Sequence, residues 1–228
     1  MDTLFLDAGG VLVFPNWSRV SDALRRHGIT ISADDLVRAE PAIKFAIDAA
    51  VDTAPSDADR GGLYFEGILD RANVPRSSSR TAALAEIYAY HMEHNLWEHV
   101  PADVRPALDR LRGLGVKLAV VSNANGVVQR AFERLGLSRY FDAICDSFIE
   151  GVEKPDPRFF AIALHRTSSR AETTLHVGDL YHVDVVGARR AGMRAILMDP
   201  HGLYGAFAVD RVANLAELVS RVAAMNGA

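Results

Sequence analysis

The feature that most constrains the fold of this chain is an alternation of short apolar runs with segments of helical periodicity, which begins near Val100. Apolar runs at 116–121, 143–145, 174–177 and 195–198 alternate with helical patterns at 104–114, 126–135, 157–165, 182–191 and 215–225. A short, nearly continuous apolar run is typical of a parallel strand that is covered on both faces. The alternation therefore predicts an α/β fold with a doubly wound parallel sheet and right-handed crossovers.

One more apolar run, Leu4–Leu6, lies at the start of the chain, and a segment of different pattern separates it from the others. From about residue 15 to about residue 98 we find no clear strand, only helical patterns separated by turn clusters at 54–57 and 74–79. Ser32 and Asp35 resemble a capping box before a long helix, in which Pro41 predicts a kink or break. We predict a core of residues 1–14 and 99–228 and an inserted all-helical cap of residues 15–98.

The amino-acid composition limits which binding partners and which cellular compartments are expected for this protein. Of the 228 residues, 49% are hydrophobic and 24% charged, which suits a globular enzyme with a sizeable core. The net charge of -4 argues against a nucleic-acid partner, and no apolar stretch approaches the ~20 residues of a membrane span. Cys145 is the only cysteine, so an internal disulfide is impossible, and we interpret it as a core residue. With no visible signal peptide, we expect a cytoplasmic protein.

Polar residues stand where the predicted strands end. Leu4–Leu6 runs directly into Asp7, and the run at 116–121 is followed by Ser122. Lys154 stands in a Glu-Lys-Pro-Asp-Pro segment, and the run at 174–177 is followed by Gly178 and Asp179, with Asp184 five residues on. Open α/β sheets place their chemistry at the carboxyl ends of the strands. These side chains are therefore the candidate functional residues.

These segments together resemble the haloacid dehalogenase-like hydrolase superfamily, and the resemblance covers the whole chain. It implies a Rossmann-like core with a helical cap inserted after the first strand. It also implies hydrolysis of a small phosphorylated molecule with Mg²⁺ through an aspartyl-phosphate. In this resemblance Asp7 matches the nucleophile, Ser122 the phosphate-binding hydroxyl, Lys154 the lysine of the third motif, and Asp179 and Asp184 the acidic pair.

The residue types fit the metal that the resemblance implies. Mg²⁺ is a hard cation that prefers oxygen ligands. Asp7 and Asp179 can supply carboxylate ligands, with Asp184 in support. The main-chain carbonyl of Gly9 matches a further ligand of the family.

The residue types also fit a phosphoryl group. An anionic nucleophile that approaches negative oxygens needs cations around it, and Lys154 can neutralise both. Ser122, Asn123 and the main chain of Gly9 and Gly10 can donate hydrogen bonds to the phosphoryl oxygens. The glycines also let the backbone turn tightly beside an anion.

The chain departs from the family pattern at Gly9. Typical phosphatases have a second aspartate at this position, two residues after the nucleophile, which protonates the leaving group and later activates water. A glycine has no side chain to move a proton, and such general acid–base help is typically worth ~10²–10⁴-fold. We therefore predict slow turnover of substrates with poor leaving groups.

Other functions stay open from the sequence. A metal-free 2-haloacid dehalogenase of the same superfamily also lacks the second aspartate, but Asp179 argues against it, because converging carboxylates without a cation repel one another. Phosphonate cleavage through a cap lysine would need Lys44, whose surroundings do not resemble that family's motif. A catalytically weak binding or regulatory protein is the remaining alternative.

Overall fold

A six-stranded parallel sheet is the main element of the larger compact unit in this computed structural model, which describes residues 1–50 and 56–227. The strands found in these residues are β1 (Thr3–Leu6), β2 (Phe14–Pro15), β3 (Trp97–His99), β4 (Lys117–Ser122), β5 (Ala143–Asp146), β6 (Thr174–Gly178), β7 (Arg194–Met198) and β8 (Asp210–Val212). The sheet has the order β5-β4-β1-β6-β7-β8, and all its pairings are parallel. The predicted α/β fold is confirmed.

Helices connect these strands. They are α1 (Trp17–Arg26), α2 (Ala33–Ala49), α3 (Asp57–Arg71), α4 (Ser78–His94), α5 (Val104–Gly113), α6 (Val128–Arg134), α7 (Ser147–Glu150), α8 (Pro157–Thr167), α9 (Val186–Arg190) and α10 (Leu215–Asn226). Helix α8 begins as the sequence predicts, because the Asp156 carboxylate accepts the Arg158 N–H and Pro157 occupies the first turn.

Side chains of the central strands are buried on both faces of the sheet. All four residues of β1 are buried, and in β4 only Lys117 is exposed. One face packs Phe5 and Val121 against Phe159 and Phe160 of α8. Covering of both faces explains why these strands read as continuous apolar runs.

Three local features differ from the sequence prediction. Helix 182–191 is divided into a π-helical turn, Tyr181–Val185, followed by α9. The apolar run at 116–121 forms a strand one residue further along, so Ser122 is its last residue. Strands β2, β3 and β8 were not predicted, because each is only two or three residues long, and β8 is recognisable only by its pairing with β7. The expectation of no strand between residues 15 and 98 is therefore wrong at Trp97–His99.

The chain divides into two compact units, Met1–Phe14 with His99–Ala228, and Pro15–Glu98. The second unit contains α1–α4 around its own apolar core, which includes Leu24, Leu36, Ile68 and Leu84. The description of this unit as a cap stays a prediction. None of the helices in the described part of the chain is both long and apolar enough to cross a bilayer.

The second unit partly follows its predicted local signals. Ser32 caps α2, since its hydroxyl accepts the Asp35 N–H and donates to the Asp35 carboxylate. The helix continues through Pro41, so of the two predicted outcomes the break is wrong and the kink stays a prediction. The predicted turn cluster at 54–57 has two residues, 54 and 55, outside the described part of the chain, and Ser56 forms the capping box of α3.

Candidate active site

Three adjacent strands bring the candidate residues to one edge of the sheet. Asp7 directly follows β1, Ser122 ends β4, and Asp179 directly follows β6. Strands β4, β1 and β6 are neighbours and run parallel, so their carboxyl ends lie together. This is the edge at which open α/β sheets bind ligands.

A tight turn fixes the backbone after Asp7. The Asp7 N–H donates to the carbonyl of Val177 on β6 at 2.8 Å, and the Ala8 N–H donates to Asp7 Oδ1 at 2.7 Å. Gly10 has a φ of 72°, which favours glycine, and its N–H donates to the Val13 carbonyl at 3.0 Å. The Gly10 N–H therefore closes the turn in this structure, and its contact with a phosphoryl group stays a prediction.

Lys154 lies between two carboxylates and is fully buried. Its Nζ is 3.0 Å from Asp7 Oδ1 and donates to Asp184 Oδ1 at 2.7 Å. Its main chain is held by Asn123, whose side chain donates to the Lys154 carbonyl at 2.9 Å and accepts the Lys154 N–H at 2.8 Å. The Asn123 side chain thus positions Lys154, a role that the sequence did not indicate.

Four donors surround the carboxylate of Asp184. Its Oδ1 accepts from Lys154 Nζ at 2.7 Å and from Nε2 of His176 at 3.0 Å. Its Oδ2 accepts the main-chain N–H groups of Asp179 at 3.1 Å and Leu180 at 3.0 Å. A carboxylate has about four lone-pair sites, so protein donors already fill those of Asp184.

Gly178 makes the close approach of Asp184 possible. A Cβ at position 178 would lie 2.0 Å from Asp184 Cγ, so only glycine fits there. The π-helical turn at Tyr181–Val185 carries Asp184, whose N–H donates to the Leu180 carbonyl at 2.8 Å. The spacing of Asp179 and Asp184 in the sequence thus reflects a wide turn that folds the second carboxylate back onto β6.

Three carboxylates converge in this site. Asp7, Asp179 and Asp184 each offer an oxygen, and these oxygens lie within 4.8 Å of one another. Among the described residues, this is the group of acidic, histidine or cysteine side chains with the geometry to hold a metal ion. Because three carboxylates and one ammonium, that of Lys154, meet here, the ionised site has an excess of negative charge.

The charges shift the pKa values of the site in opposite directions. Burial raises the pKa of Asp7 to about 7; Lys154 opposes this, and Asp184 and Asp179 add to it. Burial would also raise the pKa of Asp184, but Lys154 and His176 outweigh it and hold that pKa well below its usual range. Burial would lower the pKa of Lys154, yet Asp184 and Asp7 raise it above its usual value. Asp184 and Lys154 are therefore a fixed ion pair, whereas a further positive charge beside Asp7 would favour its ionised form.

Ser122 and Asn123 lie at the end of β4, beside the turn that follows β1. Ser122 is buried, and its hydroxyl donates a long hydrogen bond, 3.4 Å, to the Asn123 carbonyl. Such a weak bond leaves the hydroxyl able to turn towards a better acceptor.

His176 is the site residue that the sequence reasoning did not weigh. It is fully buried in β6, with Leu175 and Val177 on either side. A histidine inside an otherwise apolar buried strand needs a hydrogen-bond partner, and this was the available signal. The histidines at 91, 94 and 99 are not members of the carboxylate cluster.

Comparison with protein families gives a match to the haloacid dehalogenase-like hydrolase model over residues 1–192. The chain belongs to the haloacid dehalogenase-like hydrolase family. A ribulose-1,5-bisphosphate 5-phosphatase from Halopiger xanaduensis is 36% identical to this hydrolase over 141 residues, which are 60% of this chain and 57% of the relative's length.

Two solved structures resemble the hydrolase over nearly its whole length. A haloacid dehalogenase-like (HAD) hydrolase from Bacillus subtilis, solved bound to magnesium, is 18% identical to this chain with a TM-score of 0.71. The match covers 97% of this chain and 98% of the Bacillus chain. A 2-haloacid dehalogenase from Pseudomonas syringae pv. Tomato is 27% identical with a TM-score of 0.60 and covers 99% of this chain and 100% of its own. The fold of the hydrolase is thus that of the family.

Proposed function

We propose that this hydrolase is a Mg²⁺-dependent phosphohydrolase of a small phosphorylated metabolite, acting through an aspartyl-phosphate on Asp7. The observation that carries the proposal is the convergence of Asp7, Asp179 and Asp184, with Lys154 paired to Asp7 and Asp184. The Asp7 side chain is 13% exposed, whereas those of Lys154 and Asp184 are fully buried. Asp7 is therefore the carboxylate that a substrate can reach.

The donor set fits a magnesium ion. Asp184 is the carboxylate with the least capacity for direct metal binding, because protein donors already fill its lone pairs. We assign Asp7, Asp179 and the Gly9 carbonyl to the metal, with Asp184 in support through the backbone of Asp179. A bound Mg²⁺ would supply positive charge that keeps Asp7 ionised and offsets the phosphoryl oxygens.

The proposed reaction consists of two successive displacements at phosphorus. In the first, an Asp7 oxygen forms a bond to phosphorus and the bond to the leaving oxygen breaks, so that oxygen departs with its electron pair. In the second, water attacks phosphorus and the bond to Asp7 breaks, which releases phosphate. Lys154, Ser122 and the main chain at Asn123 offset the phosphoryl charge during both steps, while Gly10 shapes the turn after Asp7. We assign residues 15–98 to the helical cap of the family.

The relatives support two candidate reactions. The Halopiger relative is named for a sugar phosphate, which supports small phosphate esters as the substrate class. The Pseudomonas neighbour is named for 2-haloacids, so dehalogenation is the second candidate. The carboxylate cluster favours phosphate hydrolysis, because a metal-free site would hold three mutually repelling carboxylates. A weak binding or regulatory protein is the third candidate.

A panel of substrates tests the proposal. Aryl phosphates, acyl phosphates, sugar phosphates and 2-haloacids are assayed with Mg²⁺ and with EDTA. We expect release of phosphate that requires Mg²⁺ and no release of halide. Halide release in EDTA would replace the proposal by dehalogenation, and inactivity on every substrate would favour the binding protein.

The glycine at position 9 predicts a steep dependence of rate on the leaving group. Without a proton donor, aryl and acyl phosphates should be hydrolysed far faster than alkyl phosphates, because their leaving groups depart as stable anions. Gly9 does not have a positive φ, so an aspartate can adopt its backbone conformation. We expect Gly9→Asp to raise alkyl-phosphate rates by ~10²-fold.

A plot of log kcat against leaving-group pKa measures this dependence for both proteins. The slope should be steep for the natural chain and shallower for Gly9→Asp. A flat plot for the natural chain would show that another group supplies the proton.

Because the oxygens of Asp184 already accept hydrogen bonds from the protein, substitutions of Asp179 and Asp184 should affect metal affinity unequally. Asp179→Asn removes the charge of a carboxylate that we assign directly to the metal, and we expect it to weaken Mg²⁺ binding more than Asp184→Asn does. Asp184→Asn should instead lower stability, because it breaks a buried ion pair with Lys154. Titration of activity with Mg²⁺ and thermal unfolding of both variants measure the two effects. The reverse order of Mg²⁺ affinities would exchange the two roles.

A further inference from the structure

His176 occupies a defined place behind the reacting groups. It lies on β6, fully buried, with its Nε2 3.0 Å from Asp184 Oδ1. Its ring meets the Phe160 ring edge to face, with centroids 5.0 Å apart and planes at 80°. Packing against α8 thus fixes the ring and aims one nitrogen at the carboxylate.

His176 and Lys154 share one oxygen atom. Lys154 Nζ lies 2.7 Å from Asp184 Oδ1 and 3.0 Å from Asp7 Oδ1, so the two carboxylates compete for the same ammonium. Nε2 of His176 faces the carboxylate oxygen that Lys154 contacts, and a carboxylate only accepts, so the ring nitrogen is the donor in this hydrogen bond. When two donors bind the same carboxylate oxygen, each donor reduces the negative charge with which the oxygen attracts the other donor.

We propose that His176 is a positioning residue. Its hydrogen bond to Asp184 weakens the attraction between Asp184 and Lys154, so that the Lys154 ammonium stays in contact with Asp7. The proposal rests on the phosphohydrolase function proposed above. Without the histidine donor, Asp184 Oδ1 has Lys154 as its remaining side-chain donor and draws the ammonium towards itself. Asp7 and the phosphoryl oxygens then lose part of their positive charge during transfer, while substrate binding outside the reacting centre is unchanged.

Two substitutions at position 176 and one matched control separate this role from a structural one. His176→Met keeps an unbranched side chain of similar volume but has no donor, whereas His176→Gln carries an N–H near the position of Nε2. Thr174→Val is the control, because Thr174 is buried on the same strand and its hydroxyl bonds the Arg170 carbonyl, away from Asp184. All three are assayed on an aryl phosphate with saturating Mg²⁺.

The expected result is a fall in kcat of ~10–100-fold for His176→Met, with KM changed little. His176→Gln should recover most of kcat, and Thr174→Val should keep the natural value. An unchanged kcat in folded His176→Met would overturn the proposal. So would a glutamine variant that is as slow as the methionine variant while melting at the natural temperature.

Crystal structures of the natural protein and the His176 variants give a readout that does not depend on turnover. In His176→Met, Lys154 Nζ should lie further from Asp7 than in the natural protein, and in His176→Gln the natural distance should return. An unmoved Lys154 in His176→Met would overturn the positioning role even if the natural protein hydrolyses phosphate esters. An inactive natural protein would count against the proposed function alone, since the lysine displacement would still be measured.

Discussion

Replacing Asp7 by asparagine is expected to abolish phosphate release, with a loss of ~10³-fold or more, because an amide does not act as the nucleophile in phosphoryl transfer. The substitution keeps the shape of the side chain and removes one of three converging carboxylates. The free energy of unfolding should therefore not decrease. Initial rates on an aryl phosphate, with thermal unfolding of the same preparation, measure both quantities.

The matched control for this variant is Asp103→Asn. Asp103 is an exposed aspartate next to α5 whose side chain makes no capping hydrogen bond. It should keep natural activity and stability. A fully active Asp7→Asn protein, with its mass confirming that the asparagine has not deamidated, would exclude the aspartyl-phosphate on Asp7.

Replacing Lys154 by methionine should reduce both activity and stability. The change removes the ammonium that contacts Asp7 and Asp184, and breaking a buried ion pair in this way costs about 3–5 kcal/mol of unfolding free energy. The loss of positive charge beside the phosphoryl oxygens should lower kcat by ~10²–10³-fold. Denaturant unfolding and kcat on an aryl phosphate test the two effects.

Lys117→Met serves as the control for Lys154→Met. Lys117 is exposed, and its Nζ donates to the Thr167 carbonyl at 2.8 Å rather than to a carboxylate. We expect little change in either measurement. If Lys154→Met were as stable and as active as this control, Lys154 would not be the cation that serves Asp7.

The sequence predicted the parts of this molecule that depend on local pattern. Parallel strands buried on both faces read as apolar runs, and their polar end residues, Asp7 and Asp179, could be located because parallel strands end at one edge. The family resemblance added Lys154 and Asp184, which lie on the connections after β5 and β6.

The remaining details depend on contacts between distant parts of the chain. The Asn123 side chain bonds the main chain of Lys154, 31 positions later, and no local pattern predicts such a pair. The saturation of Asp184 likewise needs a π-helical turn and a glycine at 178, which together bring the carboxylate against β6. The sequence placed Asp184 in the site but did not show that its oxygens are already occupied.

The central place of β1 affects how the protein is made. Thr3 lies opposite Lys117 and Thr174, which follow it by roughly 110 and 170 residues, so β1 stays unpaired until those later strands have been synthesised. The segment Pro15–Glu98 is contiguous and has its own apolar core, so we expect it to form on the ribosome before the sheet does. During that interval the wholly apolar Leu4–Leu6 is an exposed strand edge, where a nascent chain is most open to aggregation or to capture by chaperones.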